Sequence, residues 1–187
     1  MSVVATVSAG MQGALLLARG RREGVGLVDT DGTAVIRSFW AIPLCLPAVV
    51  CIKLLEWVAG GMPANPPLSL GRYLLLFLVG WLLFVWCSER MATVIGHQAQ
   101  WPRFIAVWSY CSVVENMLVA IGSLPGALGA PAILSQVCEV VTFGWAFWLE
   151  WYAIRHSLQV GALTATAFLA VDLVIGTMLM SIGSMLG

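Results

Sequence analysis

Charged side chains are scarce in this sequence. Asp, Glu, Lys and Arg make up only 10% of its 187 residues, whereas 60% of the residues are hydrophobic, and the mean hydropathy is +0.95. A soluble domain carries about 25% charged residues, so this chain lacks the polar surface that would face water on all sides. The composition therefore predicts an integral membrane protein, in contact with the lipid bilayer. A formal net charge of zero argues against a nucleic-acid partner, because binding phosphates needs an excess of Lys and Arg.

The sequence also lacks the cysteine and histidine spacing of a metal site. Its five cysteines form no Cys-x-x-Cys pair, and each falls within an apolar run, where a buried structural thiol is the simplest interpretation. These cysteines are Cys45, Cys51, Cys87, Cys111 and Cys138. We therefore expect neither a metal ion nor another cofactor.

Five apolar runs are each long enough for the ~20 residues that a helical membrane span requires. They lie near 38–59, 71–95, 104–123, 132–154 and 161–186. The predicted fold class is all-α, a polytopic transmembrane helix bundle that occupies residues 38–187 and follows an N-terminal segment, residues 1–37. Two uncharged loops rich in Gly and Pro, 60–68 and 122–131, are expected to separate spans.

The first eighteen residues predict an amphipathic helix that lies in the membrane interface. Apolar side chains recur there at helical spacing, while small polar side chains interrupt the other faces. The apolar members are Val3, Val7, Met11, Ala14, Leu15 and Ala18. A short additional span is the alternative, and it would move only the extreme N-terminus across the membrane.

Basic residues occur in alternate connections between the spans, which predicts the orientation of the chain. They are Arg19, Arg21, Arg22, Arg37, Arg90, Arg103 and Arg155. The positive-inside rule assigns the segments that carry them to the cytoplasm. We therefore expect a multi-pass protein with a cytoplasmic N-terminus and a C-terminus on the opposite side of the membrane, which is the periplasmic side if the protein belongs to the bacterial inner membrane, as the resemblance given below implies.

Among the charged and amide side chains inside the predicted spans, five are candidates for a shared polar layer, namely Lys53, Glu115, Asn116, Glu139 and Asp172. With a rise of ~1.5 Å per residue, Glu115 and Asp172 lie at similar depth, and Glu139 and Lys53 come within side-chain reach of the same layer. Small residues share a helical stripe with Asp172 (Gly161, Ala165, Gly176, Gly183), and Ala132, Ser135 and Ala146 share one with Glu139 and Glu150. Such stripes favour close helix contacts, so the acids are expected to face inward.

These residues predict a possible ion or proton site. Glu115, Glu139 and Asp172 would exchange protons or bind a cation, Asn116 would contribute its amide, and Lys53 would supply the counter-charge. The resulting function is permeation or transport of protons or small ions. In the alternative interpretation, the same side chains only form interhelical hydrogen bonds or one ion pair that fix the packing.

One short motif resembles that of an enzyme. The stretch VGLVDTDGT, residues 25–33, resembles the first motif of haloacid-dehalogenase-like phosphatases, in which Asp29 would be the nucleophile and Asp31 the acid/base. That chemistry needs a soluble α/β domain, whereas here the next residues enter a membrane span. We therefore expect a capped turn at Asp29, Thr30 or Asp31 and no enzymatic activity.

The layout as a whole resembles the YIP-type membrane proteins. An N-terminal amphipathic segment, a basic cytoplasmic stretch and about five closely spaced helices are shared with that family, whose eukaryotic members act with small GTPases in membrane traffic. The segment VIRSFWAIPLCLPAVV, residues 35–50, is similar in style to the way bacterial relatives enter their first span. The layout also resembles small inner-membrane proteins of alphaproteobacteria. This resemblance implies a non-catalytic scaffold or accessory subunit that contacts another membrane protein or a second copy of itself.

Overall fold

A computed structural model describes residues 3–28 and 34–185 of the chain. Within those two ranges the secondary structure is helical and contains no strand, which confirms the all-α prediction. The α-helices are α1 (Val3–Ala18), α2 (Ala34–Ser38), α3 (Ala41–Gly60), α4 (Pro66–Val94), α5 (Trp101–Ala127), α6 (Ala132–Ser157) and α7 (Ala162–Met185). Two short 3₁₀ helices, Arg22–Leu27 and Gln98–Gln100, lie in the connections.

Five segments are long and apolar enough to cross a membrane, as the sequence predicted. The first is the stretch Val35–Gly60, which joins α2 to α3, and the others are built on α4, α5, α6 and α7. The chain is therefore a multi-pass membrane protein. Most helix ends agree with the predicted bounds to within a few residues, and two of them differ for reasons that the structure makes clear.

The second span begins at Pro66, five residues before the predicted start. Asn65 precedes it as a capping residue, and its side-chain oxygen accepts a hydrogen bond from the backbone N–H of Leu68 at 3.3 Å. Proline is tolerated in a first helical turn because the N–H that it lacks has no partner inside the helix there. The two prolines that were interpreted as part of a loop therefore start the helix.

The third span continues to Ala127, past the Gly122 that was predicted to begin a loop. Gly122 is buried against Thr142 of α6, and a Cβ atom at this position would overlap the threonine side chain. This glycine therefore allows two helices to approach closely, and it does not terminate α5. The loop between α5 and α6 is correspondingly shorter than expected.

Helix α5 lies at the centre of the bundle, in contact with α1, α2, α3, α4 and α6. Its residues 104–114 are all buried. Aromatic rings fill the space around them: the Phe104 ring centroid lies 6.2 Å from that of Phe84 and 5.8 Å from that of Phe168, both in edge-on geometry. This packing of preferred aromatic pairs makes the first half of α5 the core of the protein.

The N-terminal helix is confirmed as a helix, and it packs on the bundle through small residues. Gly10 lies directly against the ring of Tyr110 on α5, and Gly13 contacts the backbone of Gly24 in the first 3₁₀ helix. The position of α1 in the membrane interface stays a prediction. The capped turn expected at 29–31 lies outside the described residues.

The connections with basic residues meet at one end of the bundle. The guanidinium group of Arg103 donates hydrogen bonds to the Ser157 carbonyl at 3.1 and 2.9 Å, and the Tyr152 hydroxyl donates to the carbonyl of Gly20 at 2.8 Å. These contacts bring the chain after α1, the start of α5 and the end of α6 together. We call this end, defined by residues 19–22, 97–103 and 155–161, the basic end.

Candidate polar site inside the bundle

A cavity of about 670 Å³ lies among α3, α4, α5 and α7, on the side away from the basic end. It extends along α7 from Asp172 to Ser184, about 18 Å at the helical rise. Residues 63–65 of the α3–α4 loop surround its mouth. A volume of this size falls within the ~300–1,000 Å³ that is usual for small-molecule sites.

Helices α4 and α7 form one wall of this cavity through reciprocal contacts between glycine and leucine. The Cβ position of Gly80 lies 3.0 Å from Leu179, and that of Gly183 lies 2.9 Å from Leu76. Each glycine therefore accommodates a leucine from the other helix. The small-residue stripe predicted on the fifth span belongs to this wall, because Gly176 and Gly183 line the cavity together with Asp172.

The floor of the cavity is acidic. Glu115 and Asn116 from α5 and Asp172 from α7 all line it, as the estimate of their depth suggested. Glu115 and Asp172 are close enough for their charges to interact. The Asn116 amide donates a hydrogen bond to the Ser112 carbonyl at 2.8 Å. Among the described residues no group forms a hydrogen bond with the buried Oε1 atom of Glu115.

Behind the floor lies a third acid, Glu150 of α6, which is only 4% exposed. Its Oε1 atom accepts a hydrogen bond from the indole N–H of Trp108 at 3.3 Å. Its carboxyl group neighbours that of Asp172, and the two acids are close enough for their charges to interact.

Aromatic side chains form the wall above the acids. The ring centroids of Trp81 and Trp108 lie 4.8 Å apart and those of Phe77 and Trp81 lie 5.7 Å apart, both pairs edge-on. Trp81 is 4% exposed, and its indole N–H has no hydrogen-bond partner in the described part of the chain. Two buried polar atoms of the lining residues, the indole N–H of Trp81 and Oε1 of Glu115, thus have no hydrogen-bond partner among the described residues.

The mouth of the cavity carries charges of both signs. Lys53 forms a salt bridge to Glu56, one helical turn further along α3, with 2.7 Å between Nζ and Oε2. The same ammonium group lies 5.1 Å from the ring centroid of Tyr73, and Arg72 lines the cavity at this level. Lys53 thus lines the same cavity as the acids but pairs with Glu56 at the mouth, and its role as counter-charge to the acidic layer stays a prediction.

Glu139 does not line the cavity, and its side chain is exposed on α6 beside Gly126. Its assignment to the acidic layer was wrong because it lies on α6 about 16 Å from Glu150, the residue of that helix that reaches Asp172. The sequence did contain an indication that Glu150, and not Glu139, comes close to Asp172. Helices α6 and α7 form a hairpin with a short loop, and Glu150 and Asp172 lie at comparable distances before and after it.

The five cysteines have free thiols, and Cys45 and Cys111 are buried. Across residues 3–28 and 34–185, no group of three or more His, Cys, Asp or Glu side chains is arranged to hold a metal ion. The acids of the cavity are thus an open carboxyl cluster beside a large space and not a closed coordination shell.

No protein-family model, no curated protein and no solved structure matches the chain. The resemblance to YIP-type proteins therefore stays a prediction.

Proposed function

We propose that the protein transports protons or small cations across the bacterial inner membrane through Glu115, Asp172 and Glu150. The proposal rests on one observation: three acids from three different helices follow one another from the floor of an open cavity into the buried interior. With a cytoplasmic N-terminus and a periplasmic C-terminus, the cavity opens to the periplasm. Ionisable groups at membrane depth are costly and usually serve a function.

The positions of the acids along their helices support a relay. Counted from the helix ends at the basic end, Glu115, Asp172 and Glu150 lie about 21, 15 and 10 Å deep. Successive groups are thus separated by only a few ångströms along the membrane normal. Glu150 and Asp172 are close enough for their charges to interact, so they are neighbouring groups between which a proton could pass.

The hydrogen bonding at the floor favours exchange over a purely structural role. Acids that only hold helices together are expected to have their hydrogen-bonding capacity filled by neighbouring groups. The buried Oε1 atom of Glu115 has no such partner among the described residues, and the side chain borders a space that can admit water or a cation. A carboxyl group that has an oxygen without a hydrogen-bond partner and that lines a cavity is suited to bind a cation or to exchange a proton.

The path is closed on the cytoplasmic side in this conformation. Phe104, Leu149, Ala153 and Phe168 are completely buried between Glu150 and the basic end. Transport therefore needs a second conformation in which this packing opens and the cavity closes.

The experiment is a flux measurement on the protein reconstituted in liposomes that contain a pH-sensitive dye. Glu115→Gln, Asp172→Asn and Glu150→Gln each remove a proton-exchanging group, and we expect proton uptake to fall by about a hundredfold, as for loss of a proton-transfer residue. Glu139→Gln is the matched control, since it neutralises an acid of the same bundle outside the cavity. It should leave the flux unchanged.

Two results would contradict this function. One is a flux from the folded wild-type protein that does not exceed that of empty liposomes, and the other is a wild-type flux that survives all three neutral substitutions. The second result would show that protons cross without these acids. The first result favours the non-catalytic, YIP-like scaffold or accessory subunit, in which the acids only fix the packing. The partner would then be another membrane protein or a second copy of the chain.

A further inference from the structure

The cavity is much larger than the transfer of protons or bare metal ions requires. A proton path needs a file of hydrogen-bonding groups, and a metal ion needs several oxygen ligands at short range. Here about 670 Å³ of space adjoins the acids, and most of the surface that encloses it is apolar. The space is therefore suited to an organic molecule that has an apolar body.

The charges in the cavity are separated along its length. Glu115 and Asp172 lie at the floor, while Lys53, Glu56 and Arg72 lie at the mouth. Along α4, Arg72 at the mouth is about 13 Å from Trp81 at the inner end. A ligand whose charged group lies at the floor must therefore be positively charged there. Its apolar body then lies beside the aromatic side chains of the cavity wall.

We propose that this cavity binds a lipophilic monoamine, with its ammonium group at Glu115 and Asp172 and its apolar body against Phe77, Trp81 and Trp108. The proposal rests on the transport function above and names the class of its cargo. Glu115 and Asp172 both line the floor, and their carboxyl groups supply acceptors for the ammonium group. Trp81 and Trp108 line the cavity as well, where an aromatic ring can attract a cation.

Two other classes of ligand fit less well. An α-amino acid has its ammonium and carboxylate groups on one carbon, so it cannot reach the floor and the cations of the mouth together. A phospholipid could place its phosphate near Lys53 and Arg72, but its acyl chain would then cover the acids at the floor. Desolvating those acids with hydrocarbon is unfavourable because no hydrogen bond replaces the lost water.

The same chemistry couples the amine to a proton. When an ammonium ion binds beside a protonated carboxyl group of the Glu115–Asp172 pair, that group releases its proton to water and the resulting carboxylate pairs with the ammonium. One positive charge enters and one leaves, so the charge of the site is conserved. The binding step itself therefore needs no proton gradient across the membrane.

The experiment is equilibrium dialysis against the protein in nanodiscs, with empty nanodiscs as the baseline. The probes are 4-phenylbutylamine, 4-phenylbutanol and 4-phenylbutanoate, which share one apolar body and differ in charge. We expect the amine to bind about ten- to a hundredfold more tightly than the alcohol, the range given by a hydrogen bond to a charged group. Binding of the carboxylate should be the weakest.

Glu115→Gln and Asp172→Asn should remove this preference for the amine while binding of the alcohol is kept, and Glu139→Gln should retain the preference. If either cavity variant fails to fold, the relative affinities of the wild-type protein for the three probes still show whether the site prefers a positive, a neutral or a negative group. Equal binding of amine and alcohol, or preference for the carboxylate, overturns the proposal. Because the measurement needs no flux, amine binding can persist even if proton transport is disproved.

Discussion

The two halves of α5 have opposite surroundings. Residues 104–114 are buried without interruption, next to the rings of Phe84 and Phe168. From Glu115 onward the helix is mostly half-buried or exposed, and Glu115 and Asn116 border the cavity. One helix thus forms a packed barrier toward the basic end and a cavity wall toward the other end.

This difference shows how a small bundle can hold a polar site at membrane depth. The rigid half fixes the positions of Trp108 and Glu150 by dense packing and one hydrogen bond. The open half gives access to the acids without exposing the barrier. Substitutions that add or remove volume should therefore have different effects in the two halves.

The largest expected effect is that of Phe104→Ala, in the packed half. Phe104 is fully buried, so its truncation leaves a void and should lower the free energy of unfolding by roughly 3–5 kcal/mol. Phe77→Ala is the matched change in the cavity wall, where the deleted atoms enlarge an existing space. It should cost clearly less in the same denaturation measurement. Equal losses would show that the two halves are packed alike.

A smaller effect is expected from adding a methyl group. Gly122→Ala would overlap Thr142, whose hydroxyl is held by a hydrogen bond to the Cys138 carbonyl at 2.7 Å, so it should lower the unfolding free energy by about 1–3 kcal/mol. Gly176→Ala, on the cavity face of α7, meets no atom within 4 Å. There the better helix propensity of alanine should raise stability by up to ~1 kcal/mol. A stabilising Gly122→Ala would disprove the close contact between α5 and α6.

The sequence alone predicted the spans and the inward face of α7, because both follow from length, hydropathy and helical periodicity. It also indicated that Glu115 and Asp172 face the same space, and both line the cavity. Glu139 was placed in the acidic layer because its depth was counted from the far end of the fourth span, whereas the short loop between α6 and α7 brings Glu150 close to Asp172.

Two local contacts were not foreseen from the sequence. The salt bridge between Lys53 and Glu56, three residues apart on the same helix, was overlooked when Lys53 was considered only as a counter-charge to the acids. Gly122 was interpreted as a helix terminator, since the role of a glycine in close packing depends on the neighbouring helix. The cavity itself could not be predicted, because it arises from the arrangement of four helices.

Cysteine labelling tests most directly whether the carboxyl groups lie at the floor of a water-accessible cavity that is closed toward the basic end. In a background with the five native cysteines replaced by alanine, Asn116→Cys is compared with Ser109→Cys, about two turns away on the same helix and fully buried. Ala64→Cys, in the α3–α4 loop, identifies the vesicle face at which the cavity opens. A charged thiosulfonate reagent added at that face should modify Asn116→Cys at least about a hundredfold faster than Ser109→Cys, because the buried site must open locally to react. Labelling of Asn116→Cys only from the opposite face, or equal rates at the two positions, would contradict the proposed cavity.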